Sequence, residues 1–276
     1  MKTHIVTVAT HEKYYYKYLV KSCKKYDSPL KTLGKNEKWT GFYFKFNKML
    51  NFLDTIDSED LVCFVDGYDV VCVRDLNELK DEFLKIQKET NCKIVVAHDK
   101  VAPYNIFSKW FFGTCKNLTI NSGCYIGKSK DLKKILNKIK KLREKYNETD
   151  DQILLTKYCN SKPNNVYIDT ECRLFFSYVN SLLSVSSRYL NLNEKHIYYK
   201  QNRPFFIHGP GFAHFDDIFR KEGYTIDKTI RRKHAINLTS KLKIYFVRFF
   251  IDYQLELITL TLLIILFIKI KHFLMK

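Results

Sequence analysis

The chain has no Cys-x-x-Cys pair and no cluster of cysteine with histidine, so it offers no zinc-ribbon framework. Its eight cysteines, at 23, 63, 72, 92, 115, 124, 159 and 172, are scattered. The N-terminus lacks the apolar h-region of a secretory signal, because Met1-Lys2-Thr3-His4 runs straight into a β-branched segment. A reducing compartment is therefore expected, cytoplasmic or membrane-associated through the C-terminus. Acids are in deficit: 29 Asp and Glu stand against 47 Lys and Arg, a net charge of +18. Such a balance attracts polyanions, whether nucleic acid, anionic lipid or phosphate-bearing substrates. Aromatic and basic residues do not interleave as a single-strand stacking platform requires, so no nucleic-acid partner is expected. An apolar content of 46% excludes a disordered chain. The Lys-, Asn- and Ile-rich composition points to an AT-rich genome, a viral one among the candidates.

The most informative stretch is Leu61-Val62-Cys63-Phe64-Val65-Asp66-Gly67-Tyr68-Asp69. Its unbroken apolar run reads as a strand buried on both faces, as in a parallel sheet covered by helices. Asp66 and Asp69 follow at i and i+3, with Gly67 allowing a sharp turn. Open α/β sheets bind ligands beyond the carboxyl ends of their strands. Two acids placed there suit a hard divalent cation. They suit equally a role in capping or in pairing with surface lysines.

Strand and helix signals alternate along the chain, which argues an α/β sheet. His4–Thr10 reads as the first strand, Tyr14–Lys25 as a helix, Pro29–Gly34 as a strand and turn, and Phe42–Leu53 as a helix. After the central strand come a helix over Leu76–Thr90 and a strand over Lys93–Ala97. Pro103–Cys115 is aromatic and irregular, a substrate lip or a core-covering loop. Asn121-Ser122-Gly123 precedes a short strand at Cys124–Gly127. The basic run Lys128–Lys145 reads most simply as a solvated helix face. Glu148–Gln152 opens a helix over Ile153–Tyr158, with Thr149 or Asp150 as N-cap. Phe205–Ile207 is the last strand, ending in His208-Gly209-Pro210-Gly211. Thr10, Asp66, Asp69, Asn121 and His208 are expected on one edge of a single sheet, with Asp150 and Asp151 joining from a helix start.

We divide the chain into residues 1–225, the α/β domain, and 226–276, a basic and then hydrophobic segment. Leu257–Ile268 is free of charge but has only twelve residues, where a span needs roughly 17–25. A tail anchor stretched by snorkelling Lys269 and Lys271, a helix lying in the interface, and a buried packing helix all remain open. The basic stretch Arg231–Lys243 would suit an anionic membrane surface.

Thr7-Val8-Ala9-Thr10, Trp39-Thr40-Gly41, Phe64–Val70, Asn121-Ser122-Gly123, Asp150-Asp151-Gln152 and His208-Gly209-Pro210-Gly211 occur in that order. Together, over roughly Ile5 to Phe212, they resemble the N-terminal glycosyltransferase domain of the procollagen lysyl hydroxylase/glycosyltransferase family. The resemblance implies a GT-A-like fold, a mixed and mainly parallel sheet with flanking helices. It implies a UDP-sugar donor, UDP-glucose or UDP-galactose, and Mn²⁺ held by Asp66, Asp69 and His208. By the same match Tyr68 stacks on uracil, Thr10 and Trp39 line the nucleotide pocket, and Lys45, Gly209 and Gly211 fall at the donor. Asn121, Asp150 and Asp151 fall at the sugar and acceptor site, with Asp151 nearest the transferred sugar. The implied acceptor is a hydroxyl group, such as (galactosyl)hydroxylysine in a collagen-like protein, or another glycan.

The chain departs from the family in two motifs. The family's His-Gly-Asn-Gly reads His208-Gly209-Pro210-Gly211. Its Glu-x-x-x-Trp-Pro pattern reads His98-Asp99-Lys100-Val101-Ala102-Pro103, which removes an acceptor-side tryptophan that Tyr104 or Trp110 would have to replace. Two other readings stand beside a transferase: a membrane-tethered binding protein of the same fold without catalysis, and a metal-dependent phosphohydrolase. The second is disfavoured because the acids lie three residues apart rather than two.

Overall fold

The structure, a computed structural model, describes residues 1–99, 109, 111–178, 190–192, 195–210, 216–225 and 254–274. Tyr104, Trp110, Gly211 and the basic stretch 231–243 lie outside the described residues. In chain order the first elements are β1 (Thr3–Val8), α1 (Tyr16–Lys25), β2 (Leu30–Leu33), α2 (Phe44–Leu53), β3 (Leu61–Val65) and β4 (Val70–Cys72). Then come α3 (Leu79–Thr90), β5 (Ile94–His98), β6 (Ile120–Lys128), α4 (Ser129–Tyr146), α5 (Asp151–Ser161), β7 (Val166–Asp169) and β8 (Phe175–Ser177). A short pair, β9 (Leu190–Asn191) and β10 (Tyr198–Tyr199), precedes β11 (Phe206–His208), α6 (Asp216–Lys221) and α7 (Gln254–Leu274).

The main sheet has the order β2-β1-β3-β6-β5-β7. β6 runs antiparallel to both its neighbours, and the remaining pairings are parallel. All five residues of β3 have no exposed surface, as its unbroken apolar run requires. Alternate β3 side chains feed opposite layers. Val62 and Phe64 pack with Met49 of α2 and Ile135 and Ile139 of α4. Leu61, Cys63 and Val65 pack with Leu19 of α1 and Phe83 and Ile86 of α3. Full burial of a side chain of this size contributes about 1.5–3 kcal/mol, so this strand anchors both layers. On α4, Leu132, Ile135, Leu136 and Ile139 turn inward, while Lys133, Lys134, Lys138, Lys140 and Lys141 stay exposed. The basic run is a solvated face.

In one respect the sheet differs from expectation. β11 does not join the main sheet. It pairs antiparallel with β4 and parallel with β8 in a second, three-stranded sheet. Val70-Val71-Cys72 continues the apolar composition of β3, but the Asp66–Asp69 turn redirects it into this new sheet. Hydropathy reports that a strand is buried, not which strand it pairs with. Asn121-Ser122-Gly123 likewise lies within β6 rather than ahead of it, at a register shift opposite Val96 and Ala97.

The tail forms α7, and its apolar side chains from Ile258 to Ile268, with Ile270, are exposed. It is therefore not the buried packing helix weighed above. Among the described residues, no helix is long and apolar enough to cross a membrane.

Two of the scattered cysteines are joined. Cys115 and Cys159 form a disulfide with Cα atoms 6.0 Å apart, tying the segment before β6 to the last turns of α5. Such bonds persist in oxidising compartments, at odds with the reducing one expected from the N-terminal residues. Closing a loop between positions 44 apart should stabilise the fold by roughly 2–4 kcal/mol through the unfolded chain. Cys159→Ala, or a reducing agent, should therefore lower the unfolding free energy by that amount, read as a lower urea midpoint. Coincident curves for the two redox states would show that the bridge carries no stability.

Candidate active site

The site forms where the two sheets meet. β3 delivers Asp66 to its exit, and the turn Asp66-Gly67-Tyr68-Asp69 passes directly into β4. His208 ends β11 opposite Val70, the first residue of β4. This pairing brings the imidazole back to the turn. Backbone bonds fix the corner: Asp66 N donates to Gly123 O at 2.8 Å, and Gly209 N to Asp69 O at 2.8 Å.

Asp66, Asp69 and His208 each offer one ligand atom, all within 4.8 Å of one another. His208 Nε2 lies 3.4 Å from Asp69 Oδ1 and 3.8 Å from Asp66 Oδ2. The ring is buried, yet neither nitrogen has a formed hydrogen bond. A buried polar group left this way costs free energy, which a coordinated cation would offset. Two carboxylates and one imidazole suit a divalent ion that accepts mixed oxygen and nitrogen ligands, Mn²⁺ more readily than Mg²⁺. Three protein ligands also leave positions for other oxygens. Burial pushes the Asp66 carboxyl above its ordinary range, with Lys45 opposing and Asp69 adding to the rise. Burial works against a charged His208, but Asp69 and Asp66 outweigh it and the net direction is upward.

Lys45, on the first turn of α2, connects this corner to the start of α5. Its buried ammonium lies 2.9 Å from Asp66 Oδ1 and 2.6 Å from Asp151 Oδ2. Burial disfavours the charged amine, but Asp151 and Asp66 together hold it above the usual lysine value. Asp151 is the first residue of α5. Asp150 is its N-cap, with Oδ1 accepting from Gln152 N and Ile153 N, both at 2.9 Å. Asp150 is thus committed to the helix start, while Asp151 faces the lysine.

The other expected residues among those described are Thr10, Trp39, Tyr68, Asn121 and Gly209. The Tyr68 hydroxyl accepts from Thr10 N at 3.0 Å and His11 N at 3.1 Å, which locks its ring beside the end of β1. Trp39 stands 40% exposed on the segment between β2 and α2. The Asn121 Oδ1 accepts from Gly123 N at 2.9 Å, shaping the β6 irregularity beneath the carboxylates. Gly209 contributes its backbone, as above.

A family model described as the PLOD GT domain matches residues 1–219. The chain belongs to the PLOD GT domain family. It thus carries a glycosyltransferase domain. A "Multifunctional procollagen lysine hydroxylase and glycosyltransferase" of Caenorhabditis elegans is 28% identical over 207 residues, 68% of this chain and 25% of that protein. The chain spans about a quarter of that relative's length. Among solved structures, a glycosyltransferase involved in glycosylation of the major capsid of PBCV-1 matches with TM-score 0.51 at 13% identity, covering 81% of this chain and 100% of that one. A galactosyltransferase, LgtC, in complex with donor and acceptor sugar analogs matches with TM-score 0.50 at 17% identity, covering 83% and 99%. These likenesses establish the fold as GT-A.

Gly123 has a role that the Asn121-Ser122-Gly123 motif does not reveal. A Cβ there would come to 2.3 Å from His208 Cε1 and 2.9 Å from Asp66 Oδ2. The histidine therefore reaches the carboxylates only over a glycine. Asp169, outside every motif above, ends β7 fully buried and accepts from the backbone N–H groups of Arg173, Leu174 and Phe175. That acid holds the turn into β8, beside β11. An acid closing a buried strand, as in Val166–Asp169, was the available signal.

Gly123→Ala should weaken divalent-cation binding at least about tenfold, because a displaced ligand removes more than the ~1.4 kcal/mol that a decade requires, while circular dichroism stays native. Wild-type affinity in a folded Gly123→Ala protein would show that these three residues do not form one site. Protons should also compete with the ion. His208 is raised above its ordinary 6.5, so it is protonated in the free site below that raised value and must release a proton to ligate. Cation affinity should fall as pH drops through this region, and further as Asp66 protonates. Calorimetry in buffers of different ionisation enthalpy reads the released proton directly.

Proposed function

We propose that this domain transfers glucose or galactose from a UDP-sugar to a hydroxyl acceptor, with Mn²⁺ at Asp66, Asp69 and His208. The observation that carries the reading is the convergence of those three residues, two half-buried carboxylates and a buried imidazole, with buried Lys45 and Asp151. The bound ion would supply charge neutralisation at the departing nucleoside diphosphate. Lys45 would add a point charge toward the diphosphate. Tyr68, held by its hydroxyl, would present its ring to uracil, with Thr10 and Trp39 lining the same pocket. Asp151 would face the transferred sugar, Asp150 would fix the helix that carries it, and Asn121 would border the sugar. We take the transfer to retain the anomeric configuration. The acceptor we propose is hydroxylysine or galactosyl-hydroxylysine in a collagen-like protein, in keeping with the name of the worm relative. A further glycan is the alternative acceptor.

The deciding experiment is a UDP-sugar panel assayed by UDP release, with and without Mn²⁺. Turnover with UDP-glucose or UDP-galactose is expected, including slow hydrolysis without acceptor. Asp69→Ala should lower it at least about a hundredfold, since Lewis-acid stabilisation contributes several kcal/mol. Full activity in that variant, or in excess chelator, would overturn the assignment.

We also propose that α7 attaches the chain to a lipid surface. A contiguous exposed apolar surface of this kind marks an interaction site, and the chain's charge of +18 favours anionic headgroups. The protein should float with vesicles containing anionic lipid, and Ile264→Glu with Phe267→Glu should leave it in the soluble fraction.

A further inference from the structure

Phe42 has no part in the assignments above, yet it stands over the charged centre. It lies on the segment joining β2 to α2 and is 56% exposed. Lys45 Nζ is 5.9 Å from the centroid of its ring and 5.8 Å from that of buried Phe64. The same ammonium touches Asp66 and Asp151 at 2.9 and 2.6 Å. Phe42 and the two carboxylates therefore border the same ammonium. Trp39 meets it edge-on, with ring centroids 6.1 Å apart and an interplanar angle of 85°, and Trp39 also abuts Phe44 at 5.5 Å. The loop thus presents a buttressed aromatic face to solvent at the mouth of a carboxylate site.

A residue whose only task was to shield Lys45 would turn its ring inward. Lys45 is already buried, and more than half of Phe42 is still open. The nucleobase also has its own candidate in Tyr68, whose hydroxyl is tied to Thr10 and His11. We propose that Phe42 is the sugar platform, stacking its ring on the apolar C–H face of a pyranose held over Lys45 and Asp151. The inference rests on the transferase reading. One chemistry, a hexopyranose face, could come from the donor or from the acceptor. Release of water from two apolar faces supplies the attraction, and an aromatic edge or face adds geometric preference.

The test compares wild type, Phe42→Ala, Phe42→Leu and Phe42→Trp. Calorimetry with Mn²⁺ measures UDP, UDP-glucose and UDP-galactose binding, and steady-state kinetics measures KM for the acceptor. Phe42→Ala should weaken one sugar-bearing substrate by about tenfold and leave UDP affinity unchanged. Phe42→Trp should restore binding, and Phe42→Leu, which is apolar but has no flat face, should not. Weakened UDP-hexose binding places the pyranose on the donor. A raised acceptor KM with intact donor binding places it on the acceptor. Equal losses for UDP and UDP-hexose would overturn the proposal, because the ring would then act through the nucleotide or Lys45. So would no change in either substrate. A wild-type protein that binds no UDP-sugar would instead sink the transferase reading itself, and the platform with it.

Discussion

The site depends on one buried ammonium. Lys45 sits between a carboxylate at a strand exit and another at a helix start, and nothing else among the described contacts joins α2, the Asp66 turn and α5 so directly. Ion pairs of this kind are poor sources of stability, since desolvation consumes most of the attraction, while removing one partner costs about 3–5 kcal/mol. The cluster therefore does not hold the fold together. The fold holds the cluster, through a fully buried β3 that packs against a helical layer on each face. The charges do not balance locally either. Asp66, Asp69 and Asp151 face one lysine and one histidine; the upward direction at His208 expresses that excess of negative charge, while at Asp66 burial leads and Asp69 adds to it. A divalent cation is the natural counterweight.

Placing the ligands on two sheets has a structural consequence. Asp66 belongs to the main sheet's exit, and His208 to the strand that pairs with β4. The corner must bring two backbones unusually close. Gly67 packs against β1, where an added Cβ would meet Thr7 Oγ1 at 3.0 Å and Val8 O at 3.1 Å, and Gly123 lies under the imidazole. Both glycines are required by approach distance rather than by turn conformation. That is why a reading of local turn chemistry explains Gly67 only in part and Gly123 not at all.

Much of the fold was legible because its signals are local. The unbroken run of β3, the amphipathic spacing of α4 and the capping acid of α5 each declare themselves within a few residues. The partnering of strands does not. β4 and β11 are three residues each, too short for periodicity, and their pairing spans a sequence distance that no pattern records. The capping role of Asp150 was legible, but with Thr149 as an equal candidate, and the backbone donors of Gln152 and Ile153 select the aspartate. The ion pair of Asp151 with Lys45 was not legible, because 106 residues of sequence separate the two. Phe42 escaped notice because helical spacing marks it as a core position, whereas the helix begins at Phe44 and leaves it outside.

The carboxylate corner and the end of β5 are held in different ways. The corner is fixed by side chains that cannot change without breaking an ion pair or a close approach. The end of β5 is tied largely through its backbone. His98 O accepts from Ser177 Oγ at 2.8 Å, and Asp99 N donates to Thr119 O at 3.1 Å. Ser177 in turn registers beside His208. The scaffold around the metal corner is thus braced by the carbonyl of residue 98, whatever side chain that residue carries.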